Sequence, residues 1–170
     1  NTLLAAQGHE MGRSLVEQGS LDVAREILRD AEHSSCALVI PTDYVVATSP
    51  ADAANARTVT DVGVDDAVFD IGPASVAAFD AWIRRAATIV WNGPMGLFEV
   101  APFDAGTRAV AEAVASSPGY SIVGGGDSVA AIHQTGLADK IEHISTGGGA
   151  SLEYLEGRTL PGVAVLEVTT

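Results

Sequence analysis

The chain of 170 residues carries 22 acidic against 9 basic side chains, a formal net charge of -13, with 47% apolar and 18% charged residues. That balance describes one folded globular domain with a sizeable core, and its negative charge argues against nucleic acid and anionic membrane as partners. No apolar run approaches the roughly 20 residues of a membrane-crossing helix and no signal-peptide pattern opens the chain, so a cytoplasmic protein is expected.

Asn1 to Gly8 starts inside an apolar helical pattern with no cap in front of it, so residues 1–7 are expected to be the remnant of an interrupted helix. Ser20 has the place of an N-cap for a helix from Leu21 to Glu32, with Leu21, Ala24, Ile27, Leu28 and Ala31 at helical spacing. Cys36 to Ile40 is expected as a buried strand, which would make the single cysteine a small core residue. Pro41-Thr42-Asp43 breaks the chain before a strand at Tyr44 to Ala47, and Thr48 to Asp66 forms a surface excursion with short strands at most.

Val68 to Ile71 restores a strand. A helix from Ser75 to Ala87 comes next, with Val76, Phe79, Ile83 and Ala86 turned inward. Thr88 to Trp91 is a strand ending in Asn92-Gly93-Pro94, and the loop from Met95 to Phe103 leads to a helix from Asp104 to Ala115. Tyr120 to Val123 is a strand running into Gly124-Gly125-Gly126-Asp127-Ser128 and a helix that Gly136 ends. Ile141 to Ser145 is the last strand; it enters Thr146-Gly147-Gly148-Gly149 and a short helix to Leu155. Residues 158–170 are expected to be an irregular tail, because Leu160-Pro161-Gly162 opposes regular structure.

This alternation predicts an α/β fold: a three-layer, doubly wound, mostly parallel sheet of the Rossmann-like kind in a single domain spanning residues 1–170. The loops at the carboxyl ends of such strands share one edge, and three of them here are rich in glycine. A strand, a glycine turn and a helix start present free backbone N–H groups to an anion such as phosphate. Two plainer readings stand beside that one: Asp127 and Ser128 as ordinary helix caps, and the glycines as room for tight helix-on-sheet packing. The chain has neither the Gly-x-x-x-x-Gly-Lys-[Ser/Thr] phosphate loop nor a Gly-x-Gly-x-x-Gly dinucleotide fingerprint, which disfavours a nicotinamide-dependent oxidoreductase.

Trp91-Asn92-Gly93-Pro94-Met95-Gly96-Leu97-Phe98-Glu99, Gly124 to Ala131 and His143 to Glu153 strongly resemble, in the same order, the C-terminal nucleotide-binding half of phosphoglycerate kinase. The likeness extends along nearly all of the chain, including Leu155 to Arg158 and Leu160 to Val163. The resemblance implies reversible phosphoryl transfer between 1,3-bisphosphoglycerate and ADP, giving ATP and 3-phosphoglycerate, with Mg²⁺ carried by the nucleotide. It implies that Pro94 lines the nucleoside site and that Glu99 accepts hydrogen bonds from the ribose hydroxyls. Asn92 would lie against the phosphates and Asp127 would hold the metal, while Gly124, Gly125, Gly126 and Ser128 would line the phosphate turn. Gly125, Gly126 and Gly148, with Thr146 beside them, would border the transferring group as its catalytic surround. Such residues suit the chemistry, since the attacking ADP oxygen is already anionic and needs alignment and charge stabilisation more than a base.

Two departures qualify what the resemblance implies. The family's N-terminal triose-binding domain has no counterpart here, and neither has its earlier glycine-rich turn with the neighbouring lysine, so nucleotide binding with little turnover is expected. Where the family has Met-Gly-Leu this chain has Ala67-Val68-Phe69, so Val68 would add bulk near the adenine. The alternative is a non-catalytic module of the same fold that self-associates through apolar surface around Leu3, Leu4 and the C-terminal tail.

Overall fold

A computed structural model describes residues 1–145 and 147–166. The chain forms two compact units, one comprising Asn1–Trp82 with Met95–Val110 and the other Ile83–Pro94 with Ala111–Thr170. Helices are α1 (Thr2–Ala6), α2 (Leu21–Glu32), α3 (Pro73–Ile83), α4 (Ala105–Ser116), α5 (Gly126–Thr135), α6 (Gly148–Leu155) and α7 (Pro161–Ala164). Strands are β1 (Tyr44–Ala47), β2 (Arg57–Val59), β3 (Ala67–Ile71), β4 (Thr88–Asn92), β5 (Tyr120–Gly124) and β6 (His143–Ser145).

The α/β class with a parallel sheet stands. In the second unit β4, β5 and β6 lie side by side in that order, all parallel. The alternation of elements did not reveal that the strands of the first unit form their own antiparallel sheet, in the order β2-β1-β3. Its core collects Leu4, Met11, Tyr44, Val46 and Val62, with Ala5, Val16, Val59 and Val68 packed against them. Leu4 is buried and Leu3 half-buried, so the apolar surface expected around them is already covered.

Other expectations are corrected by the structure. Cys36 to Ile40 is not a strand: among the described residues no strand pairs with it, and Cys36, Leu38 and Val39 are exposed. An apolar run becomes a buried strand only when a neighbour takes up its backbone groups. Ile27 is exposed, while Ala24 is the buried residue of α2. Helix α3 begins two residues early, at Pro73, and stops at Ile83. Ala87 is drawn to the neighbouring strand instead, its carbonyl accepting the Tyr120 N–H at 3.0 Å. Pro161 opens a short helix where irregular chain was expected; proline suits a first helical turn, whose N–H groups lack partners anyway.

Helix α3 owes its start to a residue far away in sequence. The Asp43 carboxylate accepts the N–H of Ala74 at 2.9 Å, the N–H of Ser75 at 2.8 Å and the Ser75 hydroxyl at 2.6 Å. Ser75 Oγ in turn accepts the N–H of Thr42 at 2.9 Å. Both side chains are buried, and Asp43 serves as the N-terminal cap that Gly72 and Pro73 cannot supply. Burial alone would raise the Asp43 pKa; the bonds from Ser75 and Ala74 outweigh it and hold the carboxyl below its ordinary 3.8. Asp43 therefore adds stability that is present above pH 3.8 and lost as the pH falls below it. Asp43→Ala should cost about 2–3 kcal/mol at neutral pH. Urea denaturation across pH should show the wild type and variant converging in acid, and a pH-independent gap would contradict the cap.

Candidate functional site

The parallel register of the second unit sets three strand ends abreast. Asn92 stands opposite Gly124, and Gly124 opposite Ser145, so the turns after β4, β5 and β6 leave the sheet along one edge. Each turn is braced from within. Trp91, buried, donates its indole N–H to the Gly93 carbonyl at 2.7 Å, and the Gly93 N–H donates to the Ser128 hydroxyl. At the third turn the Ser145 and Ser151 hydroxyls bond at 2.7 Å, and Ser151 Oγ donates to the Gly147 carbonyl at 3.1 Å.

At the second and third turns two glycines are required by the geometry. Gly125 has φ +93°, and a Cβ there would stand 2.8 Å from Asn92 Oδ1. A Cβ on Gly148 would stand 2.5 Å from the Cα of Gly125, so the second and third turns touch backbone to backbone. Gly126, by contrast, opens onto free space.

Helix α5 starts at the middle turn with Gly125 as its N-cap and no side-chain cap. Its internal ladder begins with the Val129 N–H on the Gly125 carbonyl at 3.0 Å, which leaves the N–H groups of Gly126, Asp127 and Ser128 outside that ladder. Asp127 is exposed in this first turn, where the positive end of the helix dipole favours an anion. Ser128 is buried, and its hydroxyl braces Gly93 while its N–H stays at the helix start.

The structure thus brings together Asn92, Gly124, Gly125, Gly126, Asp127, Ser128 and Gly148. Pro94 ends this unit's first segment, and Thr146 lies outside the described residues. Glu99 belongs to the first unit, where it is exposed. Val68, expected near an adenine, packs against the apolar cluster of the first unit. Among the described residues no cluster of three or more His, Cys, Asp or Glu side chains could hold a metal alone. No helix among them is long and apolar enough to cross a membrane. Sequence reasoning gave no part to Asp70 and Thr107, which hold the segment bearing Glu99; no local pattern in the sequence marks either residue, since their partners are distant in the chain.

Comparison with known proteins shows the family and the fold. The profile of the phosphoglycerate kinase family matches residues 1–158. A phosphoglycerate kinase of Roseiflexus sp. (strain RS-1) is 57% identical over 168 residues, covering 98% of this chain and 42% of its own length. One from Parafrankia sp. (strain EAN1pec) is 56% identical over 170 residues, with 98% and 42% covered. The structure of phosphoglycerate kinase from Coxiella burnetii superposes with a TM-score of 0.90 at 42% identity, over 98% of this chain and 44% of that one. The chain thus spans about two fifths of the length of these relatives.

The glycine requirements are separable by substitution. Gly125→Ala and Gly148→Ala should each destabilise the second unit by about 1–3 kcal/mol, through a disfavoured φ and a backbone clash respectively. Gly126→Ala should be neutral or stabilising by up to about 1 kcal/mol, since alanine is the better helix former and meets nothing. Thermal unfolding of the three variants checks this; an equal loss for all three would contradict the backbone contact.

Proposed function

The chain belongs to the phosphoglycerate kinase family, and from that membership we propose that it is the ADP/ATP-binding portion of an enzyme that moves a phosphoryl group reversibly between 1,3-bisphosphoglycerate and ADP. The observation that best supports this reading is the rim of three glycine turns, two of them in backbone contact, around the uncapped start of α5. With a net charge of -13 the chain repels anions at long range, so phosphate recognition falls to local main-chain donors and to a cation that arrives with the nucleotide.

Asp127 fits Mg²⁺ in that limited sense. Mg²⁺ is commonly held by one or two carboxylates together with substrate phosphates and water, and one exposed carboxylate beside free N–H groups supplies the protein's share. The bound metal would offset charge on the phosphates. Asn92 lies against the phosphates in this reading, Gly124, Gly125, Gly126 and Ser128 line their turn, and Thr146 and Gly148 border the transferring group. Pro94 and Glu99 take the nucleoside, as the family resemblance implies. Cytoplasmic placement belongs to the same proposal.

Since the chain spans about two fifths of its relatives, turnover and the triose substrates call on groups beyond these residues. A second reading, self-association, is favoured by one feature: Tyr154, Leu155, Val165 and Leu166 are all at least 60% exposed near the C-terminal end. Light scattering decides it; a monomer at high concentration removes that reading.

The chain of 170 residues should bind Mg-ADP in calorimetric titration. Asp127→Ala should abolish most of the Mg²⁺ dependence of ADP affinity, a loss of about tenfold or more. A coupled assay should show negligible turnover. Affinity indifferent to Mg²⁺ would contradict the role of Asp127, and turnover near that of a full-length enzyme would contradict the division of labour.

A further inference from the structure

The segment from Met95 to Asp104 leads into α4 and carries Glu99 at an exposed position. Both of its ends meet one buried side chain. Asp70, on β3, is 1% exposed; its Oδ2 accepts the Gly106 N–H at 2.6 Å and its Oδ1 accepts the Ile71 N–H at 2.9 Å. A Cβ on Gly96 or on Gly106 would stand 2.4 Å from Asp70 Oδ1, so the carboxylate occupies the room that both glycines leave. Beside it, Thr107 Oγ1 accepts the N–H groups of Met95 at 3.0 Å and Gly96 at 3.3 Å, and the Leu97 N–H donates to the Phe69 carbonyl at 2.8 Å.

A buried carboxylate is a costly way to fill space, and it is warranted where two backbone strands must be held at one point. We infer that Asp70 is a positioning residue for Glu99, fastening the two ends of the Met95–Asp104 segment so that the Glu99 carboxylate is presented from a fixed loop. Its consequence for nucleotide affinity rests on the reading of Glu99 proposed above; the fastening itself does not. Burial pushes the Asp70 pKa up to about 6, against the Gly106 and Ile71 N–H groups that pull it down, and Asp104 adds repulsion. Asp104 is itself paired with Arg108 at 3.5 Å. A carboxyl with a raised pKa when the loop is closed, and an ordinary one when it opens, favours the closed loop as the pH falls through about 6.

The test is amide hydrogen exchange at Leu97 and Gly106, corrected for intrinsic rate, in the 170-residue chain with Asp70→Asn and, separately, Gly96→Ala. The Asn variant keeps the size but sets an amide donor against a backbone donor, and the Ala variant pushes on the carboxylate and on the Phe69 carbonyl from the loop side without changing charge, so Gly106 rather than Leu97 reports the carboxylate in that variant. Exchange should rise about tenfold in each. In the wild type protection should increase from pH 7 to pH 5, and in Asp70→Asn that dependence should vanish. Unchanged exchange in both variants, or an unchanged pH profile in Asp70→Asn, would overturn the inference; should Asp70→Asn not fold, Gly96→Ala decides alone. Mg-ADP affinity is measured alongside, with Glu99→Ala as reference. Raised exchange with affinity lowered in all three variants is the expected result. If Glu99→Ala leaves affinity unchanged, the reading of Glu99 fails, and exchange still decides the fastening.

Discussion

The parallel pairing of β4, β5 and β6 is the constraint on which the candidate site depends. Parallel strands of matched register end together, so the turn after each strand is delivered to one edge whatever its loop sequence. With Asn92, Gly124 and Ser145 abreast, Gly125 and Gly148 have no room for a side chain. The contact between Gly125 and Gly148 is the clearest trace of this crowding: two turns separated by a helix and a strand approach until no side chain fits between their backbones. Helix α5 then begins at the crowded point with a glycine cap, which leaves the N–H groups of its first turn outside its own ladder.

Electrostatics sharpens the same picture. A chain so acidic gains no long-range pull on a nucleotide, and its few cations do not stand in for one. In the proposed reading the remaining means are short-range: main-chain N–H groups, a helix dipole and one carboxylate for a metal that comes with the ligand. The side chains around the turns are mostly spent on bracing. Trp91, Ser128, Ser145 and Ser151 fix loop carbonyls, N–H groups and each other, which keeps the donors still.

Much of this was legible in the sequence where the signal is local. Strand, glycine turn and helix start at Tyr120 to Gln134 fall where periodicity puts them, and Gly136 ends α5 in the left-handed conformation its residue type suggests. The resemblance of the three glycine blocks to phosphoglycerate kinase agrees with the family found by comparison. Pairing at a distance is what the sequence concealed. The run Cys36 to Ile40 looks like core, yet its fate depends on a neighbour that hydropathy cannot name. The antiparallel sheet of the first unit looks like any other set of strands until its partners are known. Asp43 capping Ser75 and Asp70 holding Gly106 join residues 32 and 36 positions apart, and nothing local to either carboxylate announces the role.

The central proposal is that the N–H groups of Gly126, Asp127 and Ser128, outside the internal ladder of α5, receive the phosphates of a nucleotide. Amide chemical shifts of Gly126, Asp127 and Ser128, monitored during titration with Mg-ADP and, in parallel, with adenosine, test it most directly. The account predicts large saturable shifts at these three positions with Mg-ADP and none of comparable size with adenosine. Equal shifts with both ligands, or a response to Mg-ADP that leaves these amides unmoved, would contradict it.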